Sequence, residues 1–503
     1  PLGTVRASLQ EDSSGRPHLV GRMVPALEEG QGEFLLEGSM ETDGRLVFRS
    51  TARDLPLGPG FLPELPTFDW VRNLYPEGRA DLDATGHWAF GREALPHLDI
   101  RTVLREGEVR LPWLANRPAH TLVDLGAVCS ASFAPSREPS LWDRDAWEGR
   151  ADLSARWKDT RVDGQVRFAR ASTTNALAEL FAHVAEVALD EELVELLGSA
   201  EWAQDLWESL ALGGRLEAFV GLRTPTDWDP TLPETLERAV ALVADGNASC
   251  AYVGGLNEDG SGVRNYGFPL PITKVEGLVT HLVGPDLALP DRLSLVGLEG
   301  LHPSGPVRAN GSSHLMPLRL ATASQQGKHR PKQFDLSIRA TALAVDDELR
   351  AALGGLSGLE GCERLAEEYR PDGGRFDLQL DLWRQTGQEK LSADILVDVQ
   401  EVDLTPETLG VGLQAARGNL AILIDGRSTG GSAISVDLLG NAAGCEGGVQ
   451  VLGRSQSASE ASMVWWNVAA SGVDLNDPLL RERLGRQAPE NLDALGLVGH
   501  VDL

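Results

Sequence analysis

The chain has 503 residues, 42% of them hydrophobic and 24% charged, a globular composition outside the disordered range. Asp and Glu number 74 against 45 Lys and Arg, a formal charge of -29, so a phosphate backbone would be repelled and nucleic acid is not an expected partner. No window approaches the roughly 18 uninterrupted apolar residues that a membrane-spanning helix needs.

Cys129, Cys250, Cys362 and Cys445 are far apart in sequence, with no CxxC knuckle or thiol pair. The histidines show no paired-ligand spacing, and the phosphate-cradling glycine loop is absent. No metal, no cofactor and no catalytic residue is expected. Carboxylates are abundant, but abundance does not specify an acid and base pair.

A two-part pattern recurs four times along the chain. Its first part is a strand end followed four positions later by another apolar residue: Leu57 to Phe61, Leu189 to Leu193, Val345 to Leu349 and Leu475 to Leu479, usually with acids between. Its second part follows twenty-odd residues later as a Gly, a basic residue and an alternating strand start, at Gly78-Arg79-Ala80-Asp81-Leu82, Gly214-Arg215-Leu216-Glu217-Ala218, Gly374-Arg375-Phe376-Asp377-Leu378 and Gly499-His500-Val501-Asp502-Leu503. A stray second part stands at Gly149-Arg150-Ala151-Asp152-Leu153. The repeat exceeds a hundred residues and divides the chain into units 1–150, 151–262, 263–390 and 391–503. Both ends fall inside the pattern, so the native polypeptide is expected to continue beyond Leu503 and upstream of Pro1.

In chain order, Thr174 to Leu212 places Leu177, Leu180, Phe181, Val184, Leu189, Leu193, Leu196 and Leu197 at mixed helical spacings, which predicts two helices with His183 in an apolar run. Pro233 to Asp245 reads as a further short helix. From Asn265 to Val279, Pro269 and Pro271 fix an extended corner at the start of a strand. Phe334, Leu336, Ile338 and Ala340 then alternate with polar residues, predicting a strand with one apolar face. Acids at Asp346, Asp347 and Glu348 suit a helix N-terminus.

Phe376, Leu378, Leu380 and Leu382 alternate with Asp377, Gln379 and Asp381, and Ala393 to Val399 alternate in the same way. Gly426-Arg427-Ser428-Thr429-Gly430 fits the string of a serine-hydrolase elbow. Strands at Leu420–Ile424 and Ser432–Val436 make it a hairpin turn instead. Trp465 and Trp466 form the sole adjacent aromatic pair drawn toward a carbohydrate site, and a packed strand explains them as well. Asn476 to Arg486 reads as a short helix. The fold class expected is mainly β: a repetitive antiparallel sheet with short helical inserts in each repeat.

The Gly267-Phe268-Pro269-Leu270-Pro271-Ile272 corner, the helix start from Leu343 to Leu349 and the strand start Pro371-Asp372-Gly373-Gly374-Arg375-Phe376-Asp377 together resemble the AsmA-like proteins of bacterial envelopes, which include relatives of the TamB and YhdP type. Weaker copies sit at Pro76 to Asp81 and Ala470 to Leu480. The resemblance implies an elongated, twisted, groove-like sheet in the bacterial periplasm, anchored by a segment outside this chain. It also implies phospholipid and other envelope proteins as partners, and a non-enzymatic role in lipid transport between inner and outer membranes. Residues expected to line such a groove are Phe334, Leu336, Ile338, Phe376, Leu378, Leu380 and Leu382. The competing expectation is a structural, scaffold or adhesive component of an envelope assembly.

Overall fold

The computed structural model describes residues 4–11, 13, 15, 17–24, 33–57, 77–89, 97–110, 121–133, 147–168, 176–190, 211–225, 237–252, 255–256, 264–265, 268–283, 291–315, 333–347, 349, 370–384, 392–405, 412–426, 431–442, 445–458, 461–474, 477–478 and 500–501. These are almost entirely β. The strands run β1 Thr4–Glu11, β2 Pro17–Val24, β3 Glu33–Met40, β4 Arg45–Leu57, β5 Glu77–Ala89, β6 His97–Arg110, β7 Thr121–Phe133, β8 Trp147–Trp157, β9 Thr160–Phe168, β10 Ala176–Ala188, β11 Gly213–Pro225 and β12 Glu237–Tyr252. They continue with β13 Gly255–Leu256, β14 Arg264–Asn265, β15 Phe268–Val283, β16 Asp291–His302, β17 Gly305–Leu315, β18 Gln333–Ala344, β19 Arg375–Arg384, β20 Ser392–Leu404, β21 Leu413–Ile424, β22 Ser432–Asn441, β23 Val449–Ala458, β24 Ala461–Ala470, β25 Val473–Asp474 and β26 His500–Val501.

Two units divide the chain: Pro1–Val187 with Glu217–Ala241 and Leu282–Asp286, and Ala188–Leu216 with Leu242–His281 and Leu287–Leu503. In the first unit each strand from β1 to β10 pairs antiparallel with the next. In the second, β16 to β24 do the same. Neighbouring strands in sequence are neighbours in space, as short connections favour.

Two helix expectations are overturned. Ala176–Ala188 is strand β10, with Ala178 to Val184 paired to Phe168 to Val162 of β9. Its apolar residues satisfy a period of two as well as a helical one. Pairing on a half-buried face outweighs the intrinsic helix preference of Ala, Leu and Glu. Glu237–Tyr252 is likewise strand β12, which corrects the helix read from Pro233 to Asp245. Residues 174–175 and 191–210 of the first expected helical stretch, and all of Asn476–Arg486 except Asp477 and Pro478, lie outside the described residues.

The proline corner opens β15, with both prolines in its first four residues. At Asp346 the helix start appears as read: Asp347 and Leu349 are helical, and the Leu349 N–H donates to Asp346 Oδ1 at 2.9 Å. Leu349 is buried in a core cluster with Leu343, Phe376, Val402 and Leu404.

The two-part repeat has a physical basis in these pairings. Leu57 is the register partner of Gly78, the Leu189 N–H donates to the Gly214 carbonyl at 2.9 Å, and the Val345 N–H donates to the Gly374 carbonyl at 3.3 Å. In the last copy, Val473 and Asp474 pair with Val501 and His500. Each copy is thus one strand end meeting the next strand's start.

At Gly374, with φ +70°, an added Cβ would lie 2.3 Å from the Glu401 carbonyl oxygen, so only glycine fits. The acid three residues on caps a β-bulge across the pair. Asp81 Oδ1 accepts from the Asp54 N–H at 2.9 Å, and Asp377 Oδ1 from the Ala342 N–H at 2.7 Å. Asp54 and Ala342 both have positive φ and sit where the register shifts by a bulge. Gly149, the stray copy, lies inside β8 between Ala131 and Phe168 and has no such bulge opposite it.

Candidate functional site

Because side chains alternate between faces, register decides which residues share a surface. In the second unit Leu336, Ile338 and Ala340 of β18 stand directly opposite Leu382, Leu380 and Leu378 of β19, and Leu343 stands opposite Phe376. The residues singled out in the sequence therefore fall on one face of two adjacent strands. Phe334 holds the next register position, opposite Arg384.

The row extends past β19. Ile338, Leu380, Ile395, Ile422 and Ile434 are successive register partners across β18 to β22. A parallel row runs Ala340, Leu378, Val397, Leu420 and Val436. At about 4.8 Å per strand the rows cover about 19 Å of sheet. Ile395 and Ile422 are 7% and 5% exposed, while Leu378, Leu380 and Leu382 are half-buried around them.

The opposite face carries the charged residues, with exposed Asp394, Asp398 and Arg417 at the intervening positions beside exposed Leu396, Leu423 and Leu439. There the Asp381 carboxyl is held below its usual range by the Ser337 hydroxyl, the Gln379 side-chain amide and the charge of Arg339, in that order, against a small burial cost.

The first unit has the same two-faced design with smaller residues. Leu36, Ser50, Ala84, Ile100, Ala131 and Gly149 form one row across β3 to β8, and Ala52, Leu82, Thr102, Cys129 and Ala151 form the next. Burial pushes the Cys129 thiol up, as an apolar bed requires. Between these positions Arg49, Arg101, Ser130 and Arg150 are exposed on the polar face. That face carries ion pairs such as Arg53 with Asp83 at 3.1 Å and Arg161 with Asp163 at 2.7 Å. The Arg161 side chain holds Asp163 below the usual carboxylate range. Exposed pairs of this kind contribute at most about 1 kcal/mol each.

His183, read as part of a helix, lies on the polar face of β10, stacked on Phe219 at 4.6 Å and 3.7 Å from Glu217. The serine-elbow string joins two antiparallel strands: Ile424 pairs with Ser432, and the Asp425 N–H donates to the Gly431 carbonyl at 2.9 Å. Strand, turn and strand is a hairpin, whereas the hydrolase elbow requires strand, turn and helix. Ser428 itself lies outside the described residues. Among the described residues no group of three metal-ligating side chains converges. Trp465, on β24, is half-exposed.

Sequence reasoning passed over Ile395, Val397, Leu420, Ile422, Ile434 and Val436 as members of one face with Leu380. Their alternation was visible, but the register that aligns them was not. The first unit's face was also missed, because Ser, Ala and Gly do not read as an apolar stripe. Comparison of the chain with protein-family models, with curated proteins and with solved structures finds no match in any of the three.

Proposed function

We propose that the apolar faces of this chain shelter phospholipid acyl chains, as a non-enzymatic part of a β-groove that carries lipid between the membranes of a bacterial envelope. The observation that carries this reading is the unbroken row from Ile338 through Leu380, Ile395 and Ile422 to Ile434, with the charged residues of these strands on the opposite face. Such a lane asks for no nucleophile and no metal. Covering acyl chain on it removes apolar area from water at roughly 25 cal/mol per Å², which holds a lipid without fixing its headgroup. Exposed acids on the other face, such as Asp394 and Asp398, favour solubility. The resemblance to AsmA-like envelope proteins points the same way and supplies the periplasmic setting.

The test is native mass spectrometry with lipid extraction on the chain purified from a bacterial periplasm. Co-purifying phospholipid is expected, and it should be lost when Leu378→Asp and Leu380→Asp are combined, with the far-UV circular dichroism of a β protein retained. A folded, lipid-free wild-type chain would instead favour the scaffold role.

A further inference from the structure

The charged face of the first unit carries an aromatic patch. Phe181 of β10 is 55% exposed, and its ring centroid lies 6.5 Å from that of Phe219 on β11, tilted by 34°. His183 stacks on Phe219, and Glu179 meets Arg223 at 3.6 Å. Because side chains alternate between faces, these two contacts set Phe181 across from Gly221. Among the described residues an added Cβ at Gly221 would have only Ala239 near it, at 3.7 Å, so the floor beside the Phe181 ring is open. Polar groups rim that floor. Gln165 is the register partner of Phe181, the Glu179–Arg223 pair stands at one end, and Glu217, 3.7 Å from His183, stands at the other. The side chains of these two pairs are 32–53% exposed, so a ligand can reach them.

We propose that this patch binds a pyranose ring of a neutral glycan. A pyranose with equatorial hydroxyls has C–H bonds on its flat faces and hydroxyls around its rim. The C–H bonds pack against the negative face of an aromatic ring, which Phe181 supplies. The hydroxyls donate to carboxylate and amide oxygens and accept from guanidinium and amide N–H groups, which Glu179, Gln165 and Arg223 supply. Charge selects a neutral ligand. Each carboxylate at the rim already faces a partner, Glu179 with Arg223, Glu217 with His183 and Asp163 with Arg161, so neither an anion nor a cation finds a spare counter-charge. An acyl chain would strip water from these polar groups without bonding them. The patch lies on the face opposite the apolar rows, and its assignment does not rest on the lipid reading.

The experiment is saturation-transfer difference NMR on the full chain with cellohexaose, whose β-linked glucose rings have equatorial hydroxyls, and with sorbitol as an acyclic polyol. Saturation is expected to reach the ring C–H protons of cellohexaose and to leave sorbitol dark. Phe181→Ala should weaken binding by about tenfold, and Phe181→Trp, which enlarges the ring, should keep or tighten it. Glu179→Gln leaves the aromatic packing intact and should weaken binding severalfold, so the assignment can fail even where Phe181→Ala folds poorly. No transfer to cellohexaose in the wild type, or equal transfer to sorbitol, would overturn the site. Binding unchanged in Phe181→Ala or in Glu179→Gln would overturn it as well.

Discussion

Gly374 and Ala342 show how much of this fold is decided by single backbone positions. Ala342 has φ 56°, a left-handed conformation that costs an L-residue about 1–2 kcal/mol, offset in part by the Asp377 carboxylate that accepts its N–H. Ala342→Gly should therefore stabilise the chain by up to about 1 kcal/mol in urea titration, after the entropy that glycine loses on folding is subtracted. Gly374→Ala should do the reverse, losing about 2–3 kcal/mol, because its Cβ would meet the Glu401 carbonyl.

Asp381 makes a pH prediction at the same scale. Its folded pKa lies below the ordinary value, so its contribution is complete above about pH 4 and disappears as pH falls through the lower, folded value. Asp381→Asn should lower the urea midpoint at pH 7, by an amount that shrinks as pH falls below about 4. A shift whose size does not change with pH would show that packing, and not charge, is at work. The Gly-basic-x-acid string could be found in the sequence because it repeats. Its role could not, because glycine and acid both act on a bulge in a different strand.

For whole elements, strands with charged residues at every second position were legible: β18, β19 and the start of β20 were read directly. β10 and β12 were not. ALAELFAHVAEVA fits a helical stripe and a half-buried strand about equally, and only the β9 neighbour decides it. Register carries the same lesson, since no local signal places Leu380 opposite both Ile338 and Ile395.

The two-faced element predicts a contrast between adjacent residues. Ile395→Ala, at a 7% exposed position on the apolar face, should cost about 2–4 kcal/mol in denaturant unfolding. Leu396→Ser, 43% exposed on the other face, should stay within about 0.5 kcal/mol of wild type. Similar losses at both sites would mean that the second face is also packed.

Across the molecule, two units of different composition repeat one design, a continuous apolar face backed by a charged one. The second unit builds its lane from branched aliphatic residues, and the first from small residues flanked by larger ones. The mainly β, repetitive architecture was legible in the sequence because the repeat and the period of two are both properties of the chain itself. The continuity of the lane was not, because it exists only once the five consecutive strands β18 to β22 are aligned.

The most direct test of the lipid reading sets the two faces of one strand against each other. A photocrosslinking residue is placed at Leu380 or, separately, at neighbouring Gln379, and the chain is irradiated in a living bacterial envelope. The account predicts phospholipid adducts from position 380 and none from position 379. Adducts from both positions, or from neither, would contradict it.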